Sequence, residues 1–566
     1  MAIAFAADSG DEWSERCLAG GVKPKSKWKR GVSMSNDYNL IHRVNVGDIV
    51  KRSAARFPQK TALVEGDRRI TYRECNQMVN KVARGLLSLG LEKGDRLAIL
   101  LSNSIEFVLT YFACAKAGVT VVPINLSLLP HEVAYIISDS RAKAVVVENA
   151  FLEKLIPAGH ENALRDIVLI GGAAPSDLTG ILRYHDWEAV WRDQEDTEVC
   201  CEVDDRDLMQ CLYTSGTTSH PKGVMSSHIA VYMNTLGTAF DMKFTEKDVS
   251  VAMLPQFHVA QLNAITTPVF IAGGTTVIMK KFEPVELMTL VQREAATQIF
   301  GLPMMYRALL DHPHRSQYDL STLRLCVYAM APMPNEDLQR AHETFKCDFA
   351  LLFGQTEMAP VATVFRPEHQ LIKPGAVGTP AVNVEVGIMN AQGELLPIGS
   401  VGEIVYRSPQ TMEGYLNDPQ KTAEAFAHGW FHSGDEGYFD EDNILWFGDR
   451  KKDMVKTGGV NVASIEVEKV IFQHPRVQNV AVVGLPHARW SEALTAFVIS
   501  NDGGEISEEE IIQLCKDRLG GFKVPKRVLT VKEFPMTSTG KIQKHQLRAE
   551  FAQAFAELEH EDKVTE

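Results

Sequence analysis

The chain has 566 residues, 45% hydrophobic and 23% charged, with a formal net charge of -14 at pH 7. That length asks for at least two domains with cores of their own. The composition excludes a disordered or low-complexity chain, and the negative balance excludes a nucleic-acid binder relying on a basic field.

Residues 1–40 are expected to form a flexible extension, or to reflect an upstream start before Met34. Their apolar residues 1–7 are followed by Asp8, Asp11 and Glu12, and a basic cluster, Lys23–Arg30, comes later. A signal peptide has the opposite charge order. From Lys60 the pattern becomes regular. Thr61–Glu65 reads as a strand and Gly66-Asp67 as a turn. Thr71 and Glu74 form a capping box for a helix ending near Gly90. Then come a strand at Arg96–Leu101, a helix at Ile105–Ala117, a strand at Val119–Val122, a helix at Pro130–Ser138 and a strand at Ala144–Glu148. Short β-branched strands alternating with helices predict an α/β fold built on mostly parallel sheets.

The most apolar stretch, about residues 250–280, is interrupted by Pro255, His258, Gln261, Asn263 and Gly273-Gly274, so no transmembrane segment is expected. Near residue 450 a charged run, Asp449–Asp453, marks a boundary. Beyond it a compact α+β unit is expected, with a helix near 464–473, a strand at Val480–Val483, a helix capped by Ser507, a strand at Val528–Val531 and a tail helix after Lys541. The predicted organisation is an extension over 1–40, a large domain over 41–449, a hinge over 450–453 and a small lid over 454–566. Nine cysteines (Cys17, Cys75, Cys114, Cys200, Cys201, Cys211, Cys326, Cys347 and Cys515) form no Cys-x-x-Cys pair. Free thiols in a reducing cytoplasm are expected.

The chemistry is carried by Tyr213-Thr-Ser-Gly-Thr-Thr-Ser-His-Pro-Lys-Gly-Val224. These twelve positions hold five Ser/Thr residues, two glycines and one lysine. Glycine lets backbone amides turn toward an anion. Thr214, Ser215, Thr217 and Thr218 donate hydroxyls, and Lys222 supplies a cation. A Walker loop needs Gly-Lys-Ser/Thr, whereas here Lys222 precedes Gly223 and Val224 follows. Residue order therefore disfavours a kinase or GTPase.

The loop resembles the signature of the acyl-adenylate-forming (AMP-binding) superfamily, in its fatty and aryl acid–CoA ligase branch, and the likeness runs from about residue 45 to 550. Further blocks stand in the family's order: Phe353-Gly-Gln-Thr-Glu357, Trp430-Phe-His-Ser-Gly-Asp435, Gly448-Asp-Arg-Lys-Lys-Asp453 and Thr539-Gly-Lys541. The resemblance implies ATP, CoA and Mg²⁺ as co-substrates and cofactor. It implies a nucleotide site from Thr214, Ser215, Gly216, Thr217, Thr218, Lys222, Gly354, Gln355, Thr356, Glu357, Asp435, Arg450 and Lys541, with Glu357 and Thr217 at the metal. Glu357 suits Mg²⁺, which takes one carboxylate plus substrate phosphates. Lys541, Thr217, Glu357 and His258 are the implied catalytic set. Lys452 falls at the hinge position, Gly458 and Gly459 beside the CoA pantetheine, and Lys523 and Lys526 at its phosphates. His258, Ala329 and Met330 border the acyl pocket.

Three positions depart from the family pattern. Ser219 replaces a glycine, Met330 stands in a segment that commonly has two small residues, and Val462-Ala-Ser-Ile-Glu466 lacks a proline that relatives often carry. The expected activity is conversion of a carboxylic acid, ATP and CoA to acyl-CoA, AMP and pyrophosphate. A medium- to long-chain fatty acid is the expected substrate, with aryl or short-chain acids as alternatives. A non-CoA acceptor, as in an amide synthetase or carrier-protein loading, is a further alternative. A non-catalytic adenylate binder is disfavoured because Lys222, Glu357, Asp435, Arg450 and Lys541 are all present. The expected assembly is a monomer or homodimer.

Overall fold

The computed structural model describes residues 36–160, 163–172, 182–214, 221–330, 333–450, 453–457, 460–487, 490–536 and 542–555. Two large sheets dominate. The first has nine strands, running from Thr379–Pro380 through Val361–Phe365, Asp348–Gly354, Leu325–Tyr328, Gln298–Gly301, Val249–Ala252, Thr275–Ile278 and Thr61–Glu65 to Arg68–Thr71. Its centre is parallel and its edges antiparallel. The second has eight strands, with Thr120–Pro123, Arg96–Leu100, Ala144–Glu148, Asp166–Ile170 and Arg183–Asp186 parallel and Lys222–Ser227 antiparallel to Leu208–Thr214.

The expected N-terminal elements are present to within two residues. The helix Tyr72–Ser88 carries the predicted capping box: Thr71 accepts from the Glu74 amide, and Glu74 Oε2 accepts from the Thr71 amide at 2.8 Å. Ser104 caps the helix Ile105–Ala117, which Gly118 ends in a left-handed conformation. This helix is buried along nearly its whole length. It lies between the sheets, so it is apolar all round rather than along one stripe.

Beside the two mostly parallel sheets stands a third that the sequence reading does not single out. Glu385–Met389, Gly402–Arg407, Phe431–Phe439 and Leu445–Arg450 form a wholly antiparallel sheet. Its strands are rich in glycine and charge, which hides the alternation that would announce them. The smaller C-terminal domain has its own sheet. Its main feature is a hairpin of Val477–His487 against Ser491–Ser500, with Arg527–Thr530 parallel to the latter. The first of these strands is far longer than the expected Val480–Val483 and carries Pro486 within it. Ser507 caps the helix Glu508–Arg518 as predicted. The tail helix is Lys544–Glu550.

The C-terminal helix Ser464–Ile471 has Ala463 at its N-cap and no side-chain cap of its own. Asp449, from the last strand of the third sheet, supplies the missing acceptor. Its Oδ2 takes the Ser464 amide and hydroxyl, each at 2.6 Å, while Asp449 itself is 2% exposed. Lys544 pairs with Glu468 at 2.7 Å and donates to Ser464 Oγ at 2.5 Å. Burial opposes the Lys544 charge, but Glu468, Asp449 and Asp453 outweigh it and hold its pKa above the ordinary lysine value. Farther along, Arg307 lies over the Phe472 ring at 5.1 Å. Asp449 thus joins the third sheet to the C-terminal domain by a cap.

Replacing Asp449 with Ala leaves these donors unpaired. The expected cost is about 1–2 kcal/mol of local stability. Hydrogen exchange should show amides at the start of Ser464–Ile471 exchanging about tenfold faster or more; unchanged protection would refute the cap.

Candidate active site

Leu208–Thr214 and Lys222–Ser227 pair antiparallel, with Thr214 opposite Lys222. This register pins both ends of the glycine- and hydroxyl-rich loop to one place. Ser215, Gly216, Thr217, Thr218 and Ser219 lie outside the described residues. The loop's mouth is held by polar contacts. Tyr213 donates to Asp139 Oδ2 at 2.7 Å, and Asn417 donates to Asp139 Oδ1 at 3.0 Å. Burial, then Cys211 and Asp139, push the Tyr213 phenol far above its ordinary range, so it remains a donor. Lys222 Nζ sits 4.9 Å from the centre of the Tyr415 ring, a cation–π contact.

Asp348–Gly354 ends at the carboxyl edge of the parallel part of the nine-stranded sheet, where open α/β sheets bind ligands. Gly354 is required there, because a Cβ would stand 2.0 Å from the Pro360 carbonyl oxygen. The Gln355 amide donates to that same oxygen at 3.0 Å. Thr356–Met358 is a single 3-10 turn that presents Glu357. Glu357 Oε1 accepts from the Tyr415 hydroxyl at 3.0 Å, and its carbonyl accepts from the Met412 amide at 2.8 Å. Burial first, and then the Glu357 carboxylate, push the Tyr415 phenol well above its ordinary range. Gln355 Nε2 is buried with no hydrogen-bond partner among the described residues.

Asp435 and Arg450 face each other across two strands of the third sheet. Arg450 Nε lies 3.4 Å from Asp435 Oδ1; the aspartate is buried and the arginine exposed. Phe353 packs on Phe447 at 5.4 Å, so this sheet abuts the strand leading to Gly354 and Gln355.

The proposed acyl-pocket residues occupy the same sheet edge. His258 is half-buried after the strand Val249–Ala252, its Nδ1 accepting the Ala260 amide at 3.1 Å. Ala329 and Met330 follow the strand Leu325–Tyr328. Met330 has φ 70°, a left-handed conformation that favours glycine. Across the edge, the Met253 methyl and the Met305 sulfur cover Gly301, at 2.6 and 3.6 Å from the position a Cβ would take.

Contacts in the structure therefore join Lys222 and Glu357 through Tyr415, and join Asp435 to Arg450. Lys523 and Lys526 lie in the C-terminal domain. Lys523 Nζ is taken up by Glu466 at 2.6 and 2.7 Å, and Lys526 stacks on Trp490 at 5.1 Å. Lys452, Gly458, Gly459 and Lys541 lie outside the described residues. Sequence reasoning misses Tyr415 and Asp139, because an aromatic after a glycine and a helix-end aspartate carry no chemical signal of their own.

No cluster of three His, Cys, Asp or Glu side chains forms a metal cage among the described residues. A single oriented carboxylate at Glu357 fits Mg²⁺, which is commonly held by one or two carboxylates together with substrate phosphates.

A model described as AMP-binding enzyme matches residues 50–416, and one described as AMP-binding enzyme C-terminal domain matches 466–541. The chain belongs to the AMP-binding enzyme family. This AMP-binding enzyme is 34% identical over 502 residues to a feruloyl-CoA synthase of an Amycolatopsis species, covering 88% of the chain and 98% of the relative. It is 33% identical over 512 residues to a long-chain-fatty-acid–CoA ligase of Mycobacterium tuberculosis, covering 90% and 99%. Among solved structures, ATP-bound MatB from Rhodopseudomonas palustris superposes with a TM-score of 0.82 at 28% identity, covering 91% of this chain and 100% of that one. With such relatives along nearly its full length, the AMP-binding enzyme is an acid–CoA ligase by class, the acid itself aside.

Gly354→Ala is expected to displace Gln355 and Glu357 and to cost about 1–3 kcal/mol. A thermal melt and an ATP-binding titration should both register it. Wild-type ATP affinity in this variant would contradict the placement of the turn.

Proposed function

We propose that this enzyme condenses a carboxylic acid with ATP to give acyl-AMP and pyrophosphate, then transfers the acyl group to the CoA thiol with release of AMP. The observation that carries the reading is the Lys222–Tyr415–Glu357 contact. It brings a cation at the mouth of a phosphate-type loop to a carboxylate suited to a metal.

In this reading Thr214, Ser215, Gly216, Thr217, Thr218 and Lys222 cradle the phosphates, and Gln355 and Thr356 border the adenine and α-phosphate. Asp435 accepts the ribose hydroxyls in bidentate fashion, and Arg450 steadies it from the adjacent strand. Glu357, with Thr217 and the nucleotide, would hold Mg²⁺, which would offset phosphate charge. Lys541 approaches both the carboxylate and the α-phosphate, easing the meeting of two anions. The carboxylate oxygen attacks the α-phosphorus and the bond to pyrophosphate breaks. The thiol then attacks the acyl carbon and AMP leaves with its electron pair. The C-terminal domain turns about Lys452 between the halves, withdrawing Lys541 and admitting CoA past Gly458 and Gly459. Lys526 and Lys523 serve the CoA phosphates, Lys523 after release from Glu466.

The substrate in this reading is a medium- to long-chain fatty acid, entering beside His258. Met253, Met305 and Met330 give that edge a flexible apolar wall. Met330 is both strained and bulky, so it limits the width of the acyl group beside Ala329. The buried free cysteines suit a reducing cytoplasm. Among the described residues no helix is long and apolar enough to cross a membrane.

Pyrophosphate release measured over short, medium, long and aromatic acids, with and without CoA, tests the reading. Thioester should form only with CoA, and most rapidly with medium or long fatty acids. Adenylate formation with no thioester product would favour another acceptor, and a best rate with an aromatic acid would overturn the fatty-acid assignment. Lys541→Ala should abolish pyrophosphate release yet still convert preformed acyl-AMP to thioester; undiminished adenylation would remove Lys541 from the mechanism. Met330→Gly should raise kcat/KM for bulkier acids about tenfold relative to straight-chain acids. An unchanged ratio would place Met330 away from the acyl group.

A further inference from the structure

We infer that Tyr415 is a positioning residue that holds the phosphate-site cation and the metal-site carboxylate apart and correctly aimed. The inference rests on the roles proposed for Lys222 and Glu357.

Tyr415 is fixed from both sides by backbone. It pairs with Val224 on the strand that begins at Lys222, and the next residue, Leu416, donates its amide to Gly223 at 2.8 Å. Three residues earlier, Met412 donates its amide to the Glu357 carbonyl at 2.8 Å. The short segment from Met412 to Leu416 therefore spans the gap between two distant parts of the chain. Its one aromatic side chain touches both functional groups, with the ring under Lys222 Nζ at 4.9 Å and the hydroxyl on Glu357 Oε1 at 3.0 Å.

The charges themselves explain why a tyrosine suits this place. Among the described residues neither Lys222 nor Glu357 has an ion-pair partner. Had they met each other directly, phosphate and metal would have to break that pair before binding. The ring attracts the ammonium through its quadrupole, more weakly than a carboxylate would, and leaves its N–H groups for phosphate. The hydroxyl occupies one carboxylate oxygen, fixing the plane of the group, and leaves Oε2 for the metal.

Two substitutions separate the contacts. Tyr415→Phe keeps the ring and removes the hydroxyl; Tyr415→Leu removes both. ATP binding is measured by calorimetry with excess EDTA and across a Mg²⁺ titration, with Glu357→Gln and Lys222→Ala alongside. Tyr415→Phe should bind ATP normally in EDTA but need about tenfold more Mg²⁺ for the metal-linked gain in affinity. Tyr415→Leu should show that same shift and also bind ATP several-fold more weakly in EDTA. Manganese in place of magnesium, followed by electron paramagnetic resonance, reads the metal site without turnover. If Tyr415→Phe keeps wild-type metal dependence while Glu357→Gln loses it, the positioning role is wrong and the site reading stands. If Glu357→Gln keeps wild-type metal dependence, the site reading fails and the inference falls with it. Wild-type affinity in EDTA for Tyr415→Leu, with Lys222→Ala weakened, would remove the ring contact from the account.

Discussion

Thr214 and Lys222 face each other across two antiparallel strands, and that register holds the two ends of the phosphate-type loop together. A chain with a net charge of -14 binds a polyphosphate only where local donors and a cation outweigh the overall field. In the proposed site the hairpin would supply such a place near one edge of the eight-stranded sheet. Further contacts carry its consequences outward. Asp139 ties Tyr213 and Asn417 to the base of the loop, and Tyr415 ties Lys222 to Glu357. The nine-stranded sheet contributes Gly354 to Glu357 from its own carboxyl edge. The nucleotide site proposed here is therefore a seam between two sheets, with the third sheet adding Asp435 and Arg450 across the Phe353–Phe447 contact.

The C-terminal domain is attached at a neighbouring point. Asp449 stands beside Arg450 in sequence, yet its carboxylate caps a helix of the C-terminal domain. One strand end thus serves the proposed ribose contact and the domain junction together. Turning the domain would require either carrying this cap along or breaking it, so the cost of any rotation depends in part on a buried carboxylate. Phe472 under Arg307 adds a second contact between that helix and the large domain.

Much of the architecture is legible from residue order. The β-branched runs between Thr61 and Glu148 alternate with helices because each element buries an apolar face against its neighbours, and Thr71 with Glu74 announces a helix start that the hydrogen bonds reproduce. The third sheet is not legible. Its strands carry Gly387, Gly402, Gly434 and Gly437 and many charges, and they are held by cross-strand pairing that no local pattern reveals. The site divides in the same way. Residues proposed to meet a ligand keep a chemical signature in the sequence, as Lys222 and Glu357 do. Residues that act through others do not: Tyr415 looks like any aromatic near a turn, and Asp449, a buried helix cap, looks like part of a solvated charge run. Met330 is intermediate, since its bulk is visible in the sequence and its left-handed backbone only in the structure.

The central claim is that acyl transfer passes through a mixed anhydride formed when the carboxylate attacks the α-phosphorus. The most direct measurement supplies the substrate acid with both carboxylate oxygens labelled with ¹⁸O, together with ATP, Mg²⁺ and CoA, and follows the label by mass spectrometry. In the proposed chemistry one carboxylate oxygen stays on phosphorus when the thiol displaces AMP. The account predicts one ¹⁸O in the AMP phosphate, one in the thioester carbonyl and none in pyrophosphate. Thioester formed with unlabelled AMP, or with label in inorganic phosphate or pyrophosphate, would contradict it.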